Sequence, residues 1–373
     1  MRKRYAKWMY DWETRLTMRD TNRVVRPFEW GAEWTKDWPG VNGNFSLAAS
    51  QPENCFHELN DHLVANSDQF YAYETPTDFR LERRAALRFG TGANAQPDPP
   101  QPEVGEFLRF TSPVRTPYPE NDHVNARWFP AKMNSGRAMV ILPQWNSDAY
   151  GHNALARIFN RFGISCLRLS MPYHDIRKPG EIERADYAVS ANIGRTLAAT
   201  RQGIIDIRSC LDWLEQQGYK DFGILGTSLG SCYAFIASAH DRRLRVNAFN
   251  HASTYFADVV WTGQSTRHIR EGIEHEISLE SLRQSWLAIS PMAYFDKFAR
   301  WPKKSLIVYA KYDLTFLPEF SEKVVEEFEK WDLDSRVAVL PCGHYTTGET
   351  PFKYMDAWHL GRFVRSAFHG GGR

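Results

Sequence analysis

The rhythm of hydrophobic and polar positions changes near residue 105. Beyond it, short apolar runs alternate with stretches of helical period. Met139-Val140-Ile141-Leu142 reads as a buried strand, and residues 149–163 place Leu155, Ile158, Phe159 and Phe162 on one helical face up to Gly163. Strand 164–170, helix 193–217 closed by Gly218, strand 222–227, helix 229–241 and strand 245–252 follow. After an interruption come strand 305–311, helix 316–331, strand 335–341 and helix 351–368. Ahead of all these, Phe107–Thr111 and Val124–Phe129 alternate as a hairpin turning through residues 117–122. Short apolar strands separated by amphipathic helices predict a mainly parallel sheet covered on both faces. In such sheets the chemistry sits at the carboxyl ends of the strands.

Residues 1 to about 90 are polar and irregular, with helical patches near 4–18 and 52–65. Residues 91–102 hold four prolines and one glycine, which excludes helix and central strand and indicates a linker or extended strap. The expected division is an N-terminal extension with its Pro-rich linker over 1–104 and a main domain over 105–373, with a helical insertion at about 255–300. The tail from His369 to Arg373 reads as disordered. It is not a phosphate loop, because no helix follows it. Tyr5, Trp8, Met9, Trp12 and Leu16 fall at helical spacing, and Trp30, Trp34 and Trp38 come after. Such a stripe must be covered, by the main body or by a second copy of the chain in a homo-oligomer. Arg2, Lys3, Arg4 and Lys7 raise a membrane-surface helix as the alternative; Asp11, Glu13 and Asp20 weigh against it.

Composition narrows the class. Hydrophobic residues at 43% and charged residues at 24% suit a globular chain with a full-sized core. A net charge of +2 argues against a nucleic-acid partner. No apolar stretch is long enough for a membrane span, and the acidic residues after Arg4 prevent a signal-peptide core from developing. Five widely spaced cysteines fit reduced thiols and neither a disulfide framework nor a zinc site. A cytoplasmic protein is expected.

At the end of strand 222–227 stands Gly226-Thr227-Ser228-Leu229-Gly230. G-x-S-x-G alone is weak, arising by chance in roughly one chain in ten of this length. The context strengthens it, since apolar strand text precedes it and buried helix text follows. A chain that turns from strand to helix within two residues holds its serine strained and exposed. The glycines leave room for neighbouring backbone. The helix N-terminus then points positive partial charge at a developing oxyanion.

A serine hydroxyl becomes a useful nucleophile only when a base takes its proton. Strand 305–311 runs into Asp313, and strand 335–341 into His344. Both partners therefore sit in loops at carboxyl ends, in the order Ser, Asp, His. Asp258 is a rival acid. His251 breaks the expected order, His152, His174 and Asp175 lack zinc-type spacing, and Cys232 is expected to face the core. The oxyanion donors are expected to be the N–H of Leu229 and that of Gln144 or Trp145. The cap is expected either to line an acyl pocket with Trp261 or Trp286 or to be a peripheral helical pair. Tyr173 is a further candidate substrate contact.

Residues 105–368 resemble the α/β-hydrolase superfamily. Met171-Pro172-Tyr173 with Arg177-Lys178-Pro179, residues 211–219 and the Ser228 elbow are similar to the family named for α/β-hydrolase domain-containing protein eighteen. His174-Asp175 and the tryptophan-rich N-terminus depart from that family's pattern. The resemblance implies hydrolysis of a small-molecule or lipid ester through an acyl-enzyme, with no metal or organic cofactor. A peptidase or thioesterase would use the same triad, and a non-catalytic binding protein could keep the fold. An aspartate-nucleophile hydrolase is excluded by Ser228.

Overall fold

The computed structural model describes residues 2–36, 38, 41, 51–86, 103–133 and 135–369. The Pro-rich segment 91–102 and the tail 370–373 lie outside them; His369 is the last residue of a helix. Nine strands form one sheet in the order β1-β2-β3-β5-β4-β6-β7-β8-β9. They are β1 (Arg80–Ala85), β2 (Val104–Thr111), β3 (His123–Phe129), β4 (Arg137–Leu142), β5 (Ser165–Ser170), β6 (Asp221–Thr227), β7 (Leu244–Asn250), β8 (Lys304–Ala310) and β9 (Ser335–Leu340). The pairs β1–β2, β2–β3 and β3–β5 are antiparallel. From β5 through β4, β6, β7 and β8 to β9 every neighbour is parallel. The predicted mainly parallel sheet and the 107–129 hairpin are both present.

β1 falls in text read as irregular. Its sequence Arg80-Leu81-Glu82-Arg83-Arg84-Ala85 carries four charges in six residues, so no apolar alternation announces it. It is an outer strand of the sheet, where charge discourages further pairing. The sheet therefore begins upstream of residue 104.

The longer helices are α1 (Arg2–Thr17), α2 (Pro52–Ala65), α3 (Asn153–Arg161), α4 (Ile193–Gln216), α5 (Leu229–His240), α6 (Phe256–Thr262), α7 (Arg267–Ile273), α8 (Leu279–Ser285), α9 (Pro318–Lys330) and α10 (Phe352–His369). Alternation along the strands splits the core in two. Val140 and Ile224 join one cluster with α4, α5 and α9, whereas Met139, Ile141 and Leu225 join another with α3 and α10.

The N-terminal extension packs on both faces. On one side Met9 and Leu16 of α1 are buried, Trp12 meets Phe352 and Tyr5 donates its hydroxyl to the Pro341 carbonyl. On the other side Trp30 and Trp38 join Phe56 and Phe70. The aromatic stripe is thus covered largely by the body of the same chain, although Trp8 stays half exposed. Among the described residues no helix is long and apolar enough to cross a membrane.

Candidate active site

β6 ends at Thr227 and α5 begins at Leu229, leaving Ser228 alone to make the turn. Its backbone pays with φ 57° and ψ −122°, a strain of order 1–3 kcal/mol. The surroundings hold it there: Ser228 N donates to Asn250 O at 2.8 Å and Ser228 O accepts from Ser231 N at 2.8 Å. Glycines flank the turn for want of space. A Cβ at 226 would collide with the Gly230 carbonyl, and one at 230 with the carbonyls of Leu142 and Pro143. The second contact brings the loop after β4 against the N-terminus of α5.

Asp313 follows β8 and His344 follows β9, and the parallel order of β6, β7, β8 and β9 gathers their loops at one end of the sheet. His344 Nε2 lies 3.0 Å from Ser228 Oγ, and His344 Nδ1 lies 2.9 Å from Asp313 Oδ2. An ionised carboxylate only accepts, so Nδ1 carries the proton and Nε2 is free to accept from the serine. Asp313 Oδ1 accepts from the N–H groups of Thr315 and Phe316, each at 2.7 Å. Burial alone would raise the Asp313 carboxyl, but the His344 charge and hydrogen bonds from two imidazoles hold it well below its usual range. Burial pulls His344 down, yet Asp313 and, more weakly, Glu13 keep it above its ordinary value.

The second imidazole is His251, whose Nδ1 lies 3.0 Å from the same Asp313 Oδ2. Chain order argued against this histidine, but the β7–β8 pairing places it beside the acid. The rival acid Asp258 instead pairs with Arg283 at 2.6 Å. His152 reaches Thr227 Oγ1, His174 the Pro172 carbonyl and Asp175 the Ser170 hydroxyl. Among the described residues, His251, Asp313 and His344 are the one group whose ligand atoms could converge on a metal ion. A cation bound through both Nδ1 atoms there would have to displace two hydrogen bonds to Asp313.

An apolar pocket opens beside Ser228. Trp145, Leu229, Cys232, Phe256, Val259 and Phe316 line it, and among the described residues no charged side chain does. α6, at the start of the 255–300 insertion, forms one wall. The tryptophans expected to line it do not. Trp286 is fully buried, donating from Nε1 to the Ile193 carbonyl, and Trp261 lies under Arg270. Tyr173 is sealed between Tyr118 and Tyr187. These are core and flank positions, and shorter side chains form the wall instead. Cys232 belongs to the buried core, as expected, and also borders the pocket; its thiol contacts the Ile289 carbonyl. Gln144 is exposed; Trp145 is held by its Nε1 bond to the Ala185 carbonyl and by stacking on His268.

Residues 126–297 match the family model described as alpha/beta hydrolase domain containing 18. The match contains Ser228 and all three resembling stretches but stops before Asp313 and His344. Acetyl xylan esterase 1 from Thermoanaerobacterium sp. JW/SL YS485 superimposes with a TM-score of 0.55 at 14% identity, covering 91% of this chain and 100% of that one. The chain has an α/β-hydrolase fold. An acetyl xylan esterase from Paenibacillus sp. R4 shares this hydrolase fold at a TM-score of 0.54 and 13% identity, over 84% of this chain and 98% of that one. The acylaminoacyl peptidase of Pyrococcus horikoshii gives 0.54 at 9% identity, over 77% of this chain but 47% of the peptidase. No curated protein matches the sequence.

Proposed function

We propose that this hydrolase-fold chain cleaves carboxylic esters with an apolar acyl group, through an acyl-enzyme on Ser228. The Ser228 hydroxyl adds to the ester carbonyl as His344 Nε2 takes its proton; His344 then returns that proton to the leaving alcohol. Water attacks the acyl-enzyme with His344 again as base, releasing the acid and the free serine. Asp313 keeps the imidazole in the required tautomer. The N–H of Leu229 and one from Gln144 or Trp145 would receive the oxyanion.

The observation that carries this reading is the continuous relay from Ser228 Oγ through His344 to Asp313 beside an uncharged pocket. Two structural neighbours are acetyl xylan esterases by name, which fits ester substrates. The apolar walls offer contacts to acyl chains longer than acetyl. A fluorophosphonate should label the wild-type protein but not Ser228→Ala, and that variant should lose about 10⁴-fold or more in turnover of p-nitrophenyl esters. Specificity should rise from acetyl to longer acyl esters. Undiminished hydrolysis by Ser228→Ala would remove the serine from the mechanism.

A further inference from the structure

The N-terminal helix brings a carboxylate to the loop that carries His344. Glu13 of α1 is fully buried, 332 positions from its partner Tyr345. Its Oε1 accepts from Tyr345 N at 2.7 Å, and its Oε2 accepts from Thr346 N at 2.9 Å. The Thr346 hydroxyl lies 3.0 Å from Oε2 and accepts from Gly343 N at 2.6 Å. One side chain thereby ties down, directly or through one hydroxyl, the backbone N–H groups on both sides of His344. Gly343 leaves the room this needs, since a Cβ there would collide with the carboxylate. Tyr5, two turns earlier on α1, holds the Pro341 carbonyl at the start of the same loop.

A buried carboxylate is costly unless donors surround it. Burial pushes Glu13 above the ordinary range while the N–H groups of Tyr345 and Thr346 pull it back. Met9 and Leu16 are also buried, so apolar packing is available to hold α1 without a charge. The charge sits instead where it meets the loop of the base.

We propose that Glu13 is a positioning residue for His344, fixing the 343–346 turn so that Nε2 stays aligned on Ser228. This rests on the serine-hydrolase reading above. The groups acting on His344 are Asp313 and Glu13, with His251 close by on Asp313. Glu13 therefore also contributes negative potential that favours the imidazolium formed during each step.

The test compares Glu13→Gln and Thr346→Val in the full chain, with Ser228→Ala alongside, on one p-nitrophenyl ester. Glu13→Gln should lower kcat roughly 10- to 100-fold with KM little changed, as small misalignments of reacting groups do. It should also move the acid limb of kcat/KM to lower pH, because a charge that favours protonated His344 is gone. Thr346→Val keeps that charge, so it should lower kcat without moving the limb. A merely structural Glu13 would change thermal stability and leave both readouts in place. Wild-type kcat and an unmoved limb in Glu13→Gln, with Ser228→Ala inactive, overturn this proposal alone. If Glu13→Gln does not fold, wild-type kcat in Thr346→Val overturns it. An active Ser228→Ala overturns it together with the reading on which it rests.

Discussion

His251 and His344 direct their Nδ1 atoms to the same oxygen of Asp313, at 3.0 and 2.9 Å. Their rings lie 4.5 Å apart between centroids. Only one of them reaches Ser228. Burial and the neighbouring His344 charge keep His251 below its ordinary value, so it serves Asp313 as a neutral donor. Its backbone adopts φ 57°, a left-handed conformation that histidine enters more readily than most residues.

Removing that donor should weaken the acid without abolishing it. In His251→Asn the left-handed backbone is tolerated and the shorter amide withdraws from Asp313. Loss of one hydrogen bond to a charged group, worth about 1.5–3 kcal/mol, corresponds to a fall in kcat of tenfold or more. Steady-state kinetics with a thermal melt check this; unchanged kcat in a folded variant would show that His344 alone suffices for Asp313.

The two candidate acids should separate cleanly. Asp313→Asn no longer enforces the Nδ1–H tautomer, so kcat should drop by about 10⁴-fold. Asp258→Asn breaks the ion pair with Arg283 instead and should lower the melting temperature while leaving kcat near wild type. The opposite ranking in matched assays would transfer the acid's role to Asp258.

A third prediction concerns stability, behind the nucleophile. Asn250, whose carbonyl accepts from Ser228 N, donates from Nδ2 to Asp356 Oδ2 at 3.0 Å. Burial pushes the Asp356 carboxyl up to about 7, above the unfolded value of about 3.9. Between those values the folded state binds the extra proton, so this contribution is present at low pH and is lost as pH rises towards 7. Asp356→Asn should therefore melt higher than wild type above neutrality, and the difference should vanish near pH 4. A variant less stable than wild type at alkaline pH would contradict the assigned burial cost.

Local pattern was enough for strands β2 to β9, the strand-to-helix turn at Ser228, and the positions of Asp313 and His344 at the ends of β8 and β9. Each depends on periodicity or on glycines within a few residues, and a parallel sheet automatically collects those ends. Chain order left Asp258 open beside Asp313, because both lie between Ser228 and His344. What surrounds these residues was decided by contacts between distant segments. β1 carried too much charge to look like a strand. His251 reached the acid only because β7 lies beside β8. Trp286 and Tyr173 had the right type for a pocket wall, but packing sealed them away and left the wall to Phe256, Val259 and Phe316. Glu13 could be placed only once α1 had docked, because a carboxylate on an aromatic helix looks like solvent-facing charge until its donors, more than 300 residues away, are folded against it.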